Sequence, residues 1–128
     1  MLVVDDDPNF LEATKVSLAA DKRIEIVGGA ASGEEAVEQV ADLHPDVVAM
    51  DVAMPGVDGF EATRLIRRNQ PECHVVLVSG SIFVDRGDEG FEAARAAGAS
   101  GYVVKSKAVL ELPELIVSVA RGGAIIST

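Results

Sequence analysis

A chain of 128 residues holds one ordinary domain and leaves no room for a second with its own core. Its apolar share of 48% and charged share of 25% describe a globular protein with a real core, and they exclude a disordered chain; no apolar run of about 18 residues exists to span a bilayer. A net charge of −10 argues against direct binding to a nucleic-acid backbone, the single Cys73 excludes an internal disulfide, and with the early acidic run Asp5-Asp6-Asp7 no secretory signal is expected, so a reducing cytoplasm is the expected compartment.

In chain order, the first short apolar run, Leu2 to Val4, reads as a strand buried on both faces. Asp7-Pro8 reads as N-cap and N1, because proline has no N–H to leave unpaired there and its fixed φ suits a helix. Ile24 to Gly28 is the second predicted strand. Ser32 to Glu35 has capping-box spacing, in which the cap bonds the N3 N–H and the Glu reaches back, and it opens a helix with Ala36, Val40 and Leu43 on one face. Asp46 to Met50 is the third strand, and Asp58 to Glu61 repeats the capping-box spacing. Arg64, Arg67 and Arg68 fall late in that helix, where positive charge suits the C-terminal dipole on a solvated face. His74 to Val78 and Gly101 to Val104 are the fourth and fifth strands, with a helix stop at Gly98 between them. In the last helix Leu112, Leu115, Ile116 and Val119 form one apolar face; Pro113 is expected in its first turn and Gly122 just past its end.

Strands alternating with amphipathic helices predict an α/β layer structure, a parallel sheet wrapped on both faces through right-handed crossovers. The ligand site of such a fold lies beyond the carboxyl ends of the strands, near the reversal of strand order. The residues that follow the strands are Asp5 and Asp6, Asp51, Ser79 and Lys105. Three gathered carboxylates repel one another, so they retain a proton or a cation, and oxygen-only ligands favour a hard ion such as Mg²⁺. A lysine ammonium adds a second positive point and a hydroxyl a hydrogen bond, a set suited to stabilising a phosphoryl group in transfer. An Asp carboxylate can itself be the nucleophile and form an acyl phosphate. Asp51 is the candidate acceptor, standing alone after a central apolar run and followed by the Met54-Pro55-Gly56 loop.

The motifs Val3-Val4-Asp5-Asp6, Met50-Asp51-Val52-Ala53-Met54-Pro55-Gly56-Val57-Asp58-Gly59, Val78-Ser79 and Gly101-Tyr102-Val103-Val104-Lys105, taken together in this order, resemble the receiver domain of two-component response regulators over essentially the whole chain. That resemblance implies one receiver domain over residues 1–128, a doubly wound, flavodoxin-like five-stranded parallel sheet of order 2-1-3-4-5 flanked by five helices. It implies that Asp51 accepts a phosphoryl group from a sensor histidine kinase, and that Mg²⁺ is held by Asp6 directly, by Asp5 through water or at longer range, by Asp51, and by the backbone carbonyl of Ala53. Ser79 would bond the phosphoryl group and move toward it, Lys105 would pair with another of its oxygens, and Tyr102 would follow as the rotating aromatic of the switch. Ala53 and Ser81 stand where the family varies residues that tune phosphoryl lifetime. The implied protein is a switch that catalyses only its own phosphoryl transfer and slow dephosphorylation. Its implied partners are the kinase, an output domain of its own or of a partner, and a second copy on phosphorylation, with no membrane and no direct nucleic-acid contact by this domain. The closing stretch Val119-Ala120-Arg121-Gly122-Gly123-Ala124-Ile125-Ile126 is similar to the receiver end of regulators of the NarL and FixJ type, which implies a helix-turn-helix output domain in the intact protein.

Family members carry a few more residues before the acidic pair, so a short first strand is expected. The spacing from Ser79 to Lys105 is longer than usual, with the excess in Gly80 to Gly90; there the triplet Ile82-Phe83-Val84 either packs on its own fold or forms a partner surface. Two other functions use the same residues: a receiver-shaped interaction module that works without phosphorylation, and a phosphatase of the haloacid-dehalogenase type. Against the second, Pro8 and Asn9 follow the acidic run, no final acidic pair follows Lys105, and the chain is short for that fold. His44 and His74 read as structural, Asp7 as a helix cap, and Cys73 as a partly buried thiol without redox duty.

Overall fold

Short runs of buried residues become five strands of a single parallel sheet, joined by helices that cross over its two faces. The computed structural model describes residues 1–80 and 87–121, in the order β1 (Leu2–Val4), α1 (Pro8–Ala19), β2 (Gly28–Ala30), α2 (Gly33–Leu43), β3 (Val47–Asp51), α3 (Gly59–Asn69), β4 (His74–Ser79), α4 (Gly87–Ala97), β5 (Gly101–Val104) and α5 (Lys105–Ala120). The sheet order is β2-β1-β3-β4-β5 and every neighbouring pair is parallel. From β1 the chain steps outward to β2 and then crosses back to β3, so strand order reverses between β1 and β3. The crevice of such a fold opens above the carboxyl ends of those two strands. The expectations for Ser81, Ile82-Phe83-Val84, Gly122 and the closing stretch beyond Arg121 lie outside the described residues.

Strand pleating sorts alternate residues into two cores. Leu2, Val4, Val48, Met50, Val75 and Leu77 join Val40 of α2, Ile66 of α3 and Ala94 of α4 on one face. Val3, Val47, Ala49, Val76, Val78 and Val103 join Leu18 of α1 and Leu112, Ile116 and Val119 of α5 on the other. Each fully buried Leu, Ile or Val contributes about 1.5–3 kcal/mol toward ordering the chain.

The predicted caps form. Asp7 Oδ1 accepts from the Asn9 N–H at 3.0 Å, Ser32 Oγ from the Glu35 N–H at 3.1 Å, and Asp58 Oδ1 from the Glu61 N–H at 2.9 Å. The reciprocal half of each box is replaced by a pairing along the helix: Glu35 accepts from Gln39 at 3.2 Å and Glu61 from Arg64 at 2.8 Å. Gly98 has a φ of +99° and ends α4 as expected.

Four local expectations are corrected. The second strand is Gly28–Ala30, not Ile24 to Gly28, with Leu2 opposite Gly28 and Val4 opposite Ala30. Helix α2 presses so close to this edge strand that a Cβ on Gly28 would stand 2.8 Å from Gln39 Oε1 and 3.1 Å from Leu43 Cδ1. Glycine at 28 fits this close approach, and it carries no apolar signal. Pro113 lies in the interior of α5, because the helix starts at Lys105 directly from β5; its missing N–H leaves one helical hydrogen bond unmade. Leu43, at the last turn of α2 beside the sheet edge, stays partly exposed, and Cys73 is fully rather than partly buried.

Candidate functional site

Strand β1 carries Asp5 to the crevice. Its N–H donates to the Ala30 carbonyl at 3.1 Å, which continues the β1–β2 pairing, and its Oδ1 accepts from the Asp7 N–H at 2.9 Å. Asp5 is only 2% exposed, whereas Asp6 beside it is open to solvent and Asp7 is spent on capping α1.

Asp51 is the last residue of β3 and is 5% exposed. The next residue continues the ladder, since the Val52 N–H donates to the Val78 carbonyl at 3.0 Å. Helix α3 then begins directly against the strand end: the Gly59 N–H donates to the Val52 carbonyl at 2.8 Å. A Cβ on Gly59 would sit 2.8 Å from Val52 Cα and would collide with the Asp51 carbonyl oxygen. Glycine at 59 is therefore what allows the backbone under Asp51 to be packed so closely.

Ser79 closes β4 and is buried, opposite Val104 in the β4–β5 register. Lys105 opens α5 and sends its ammonium back over the crevice, where Nζ lies 3.1 Å from Asp5 Oδ2 and 3.5 Å from Asp51 Oδ2. One oxygen from each of Asp5, Asp6 and Asp51 falls within 4.8 Å of the others. The strand ends thus bring together Asp5, Asp6, Asp51 and Lys105. The backbone N–H of exposed Ala53 makes a long 3.4 Å contact to Asp51 Oδ1. Tyr102 is buried on the α4 side of the sheet, with its hydroxyl against Gly90.

The charges in this cluster explain one another. Burial, and next the Asp5 carboxylate, push the Asp51 carboxyl above the usual carboxylate range, with Lys105 pulling the other way. Burial works against the Lys105 ammonium, but its hydrogen bonds and charge interactions with Asp5 and Asp51 outweigh that and hold its pKa above the ordinary lysine value. One ammonium faces three carboxylates, so the cluster retains excess negative charge. Its donors are all oxygens, gathered within reach of a single small ion, and this set fits a hard divalent cation.

Sequence reasoning placed Gly59 in the motif after Asp51 without its role in making room for the Asp51 backbone, and it did not find Phe10, whose ring lies beneath the Lys105 ammonium, nor Gly90, which makes room for Tyr102. Gly59 follows the capping Asp58 and was legible as part of a helix start; Phe10 and Gly90 carry no signal outside the folded packing. A cavity of about 460 Å³ opens at the amino-terminal end of the strands, near Met1, Asp46 and Ile116, and it shares no residue with the acidic cluster. Among the described residues no helix is long and apolar enough to cross a membrane.

The chain is thus a doubly wound α/β domain with buried carboxylates and a lysine gathered at its switch point. Residues 1–117 match the family model of the response regulator receiver domain, and the chain belongs to that family, the receivers of two-component systems. It is 37% identical over 127 residues to the transcriptional regulatory protein DegU of Brevibacillus brevis, covering 98% of this chain and 52% of that protein. It is 38% identical over 127 residues to the response regulator GacA of Pseudomonas aeruginosa, covering 99% of this chain and 58% of that protein. The chain therefore spans little more than half the length of these curated relatives. Among solved structures, a LuxR-family response regulator from Aurantimonas superposes with a TM-score of 0.84 at 31% identity, over 98% of this chain and 86% of that one. The receiver domain of the response regulator NarL from Mycobacterium tuberculosis gives 0.84 at 28% identity over 94% of each. Membership of this family leaves the haloacid-dehalogenase reading without support.

Proposed function

We propose that this chain is a phosphorylation-dependent switch that accepts a phosphoryl group on Asp51 from a sensor histidine kinase and passes the change to a transcriptional output domain. The observation that carries the proposal is the convergence of Asp5, Asp6 and Asp51 with the Lys105 ammonium at the reversal of strand order. An oxygen of Asp51 attacks the phosphorus of a phosphohistidine, the P–O bond forms as the P–N bond breaks, and the imidazole leaves as the neutral base after taking a proton from solvent. Asp5, Asp6, Asp51 and the Ala53 carbonyl would hold Mg²⁺, which when bound neutralises phosphoryl oxygens and relieves the repulsion among the carboxylates.

Lys105 moves from the carboxylates to a phosphoryl oxygen, a charge-assisted contact, and Ser79 donates its hydroxyl to another. Those contacts exist only in the phosphorylated form, so they bias the Ser79 and Tyr102 side of the sheet toward a second conformation. Ala53 and Ser81 tune how long the phosphoryl group persists. The domain turns over no external substrate beyond its own phosphorylation and slow dephosphorylation. DegU and GacA are named as regulators, which supports an output domain as one partner; the other partners in this reading are a sensor histidine kinase in the cytoplasm and a second copy of the chain on phosphorylation.

The test is intact-mass analysis after incubation with Mg²⁺ and acetyl phosphate. One added phosphoryl group that requires Mg²⁺ supports the proposal. No adduct on folded protein favours an interaction module that works without phosphorylation.

A further inference from the structure

The ammonium of Lys105 has a neighbour besides the carboxylates: it lies over the face of Phe10, 4.3 Å from the ring centroid. An ammonium carries three N–H donors and no acceptor. Those of Lys105 are shared between Asp5 Oδ2 at 3.1 Å and Asp51 Oδ2 at 3.5 Å, and the phenyl ring offers its negative π-face in a further direction. The aliphatic stem runs past Gly80, where a Cβ would stand 3.5 Å from Lys105 Cδ.

The ring is placed by the same turn that places Asp5. Asp5 Oδ1 accepts from the Asp7 N–H, and Asp7 Oδ1 caps the first turn of α1 through Asn9 at 3.0 Å and more loosely through Phe10 at 3.5 Å. Contacts therefore run from Asp5 to Asp7, to Phe10, to Lys105 and back to Asp5.

A cation bound among the carboxylates, or a phosphoryl group on Asp51, competes with Lys105 for carboxylate oxygens. A phenyl face offers no oxygen to a hard divalent ion and no hydrogen-bond donor to a phosphoryl group, so its hold on the ammonium survives when the carboxylates are taken. We infer that Phe10 is a positioning residue for Lys105, keeping its ammonium at the mouth of the cluster where it meets an oxygen of the incoming phosphoryl group. This rests on the reading of Asp51 as the phosphoryl acceptor.

Phe10→Leu keeps an apolar, helix-compatible side chain and removes the π-face, while Phe10→Tyr retains the face. Phosphoryl uptake from acetyl phosphate at saturating Mg²⁺ is followed by intact mass, and the ε-methylene protons of Lys105, assigned by their loss in Lys105→Arg, are followed by NMR. Phe10→Leu is expected to slow uptake about fivefold, with Mg²⁺ affinity unchanged and the ring-current shift of the ε-methylene lost; Phe10→Tyr keeps the parental rate and shift. A role in packing alone lowers thermal stability but does not separate the two variants in this way. A parental rate in Phe10→Leu, an equal slowing in Phe10→Tyr, or an ε-methylene signal indifferent to Phe10→Leu overturns the inference. Absence of uptake by the parent chain overturns the receiver switch and this inference together, whereas uptake at equal rates overturns only the role of Phe10.

Discussion

The Tyr102 side chain occupies the space that a side chain on Gly90 would need: a Cβ there would stand 2.8 Å from Tyr102 Cζ and closer still to the hydroxyl. Tyr102 is 7% exposed in this position, against α4. A buried aromatic ring is stiff and cannot yield by bending, so the ring must turn about χ1 if position 90 gains a methyl group. Gly90→Ala is expected to drive Tyr102 toward solvent while α4 itself gains helix propensity. Tyr102 is the only tyrosine and the chain has no tryptophan, so intrinsic fluorescence reports on this ring alone. Stronger acrylamide quenching in Gly90→Ala is the expected outcome, and quenching equal to the parent's would show that the ring has room to stay.

Confining the Asp51 carboxylate next to Asp5 makes the folded chain less stable at neutral pH without metal. Its pKa is raised in the fold by burial and then by Asp5, so stability is full below the unfolded carboxyl pKa, falls as pH rises through the window up to the folded pKa, and stays reduced above it. Asp51→Asn is expected to melt above the parent at pH 7 in EDTA. Mg²⁺ at ten times its Kd adds about 1.4 kcal/mol to the parent by mass action, and adds less to Asp51→Asn. Calorimetry of both proteins with and without Mg²⁺ checks this; a parent indifferent to Mg²⁺ would contradict the ion site.

Gly59→Ala puts a methyl group against the Asp51 carbonyl and Val52 Cα, both backbone atoms that cannot step aside. Although alanine is the better helix former, the overpacking is expected to destabilise the protein by about 1–3 kcal/mol. Urea unfolding measures it, and phosphoryl uptake should slow in the same variant because the backbone that aims Asp51 is displaced.

The sequence made the chemistry at the strand ends legible because each acid or base ends, or stands within two residues of, a short run of buried residues that reads as a strand. Asp51 after Val47-Val48-Ala49-Met50 is the clearest instance. It failed where packing of neighbours decides the residue. Gly28-Gly29-Ala30 is a strand of small residues, with α2 crowding position 28, so its composition hides it, and the more apolar stretch from Ile24 suggests a strand over Ile24 to Gly28 instead. Pro113 was expected near a helix start because proline breaks interior hydrogen bonds, but α5 begins at Lys105 to bring that residue over the site. Phe10 could not be found at all, since its relation to Lys105 spans the whole chain and exists only after α1 and α5 are docked.

Cys73 is expected to be chemically quiet. The thiol is buried and its pKa is pushed up to about 11, chiefly by that burial. Almost no thiolate exists at pH 8, and a reagent reaches the sulfur only when the protein opens. Labelling by iodoacetamide should be slower in native protein than in urea by about 100-fold or more. Fast labelling of native protein would contradict the burial of the thiol at the amino end of β4.

The most direct measurement is to locate the phosphoryl group after reaction with acetyl phosphate and Mg²⁺, by peptide mapping at acidic pH where an acyl phosphate survives, with Asp51→Asn alongside. The expected result is one phosphoryl group on the peptide that contains Asp51, and none on Asp51→Asn. A phosphoryl group on the peptide that holds Asp5 and Asp6, or equal uptake by Asp51→Asn, would contradict the assignment of Asp51 as the acceptor.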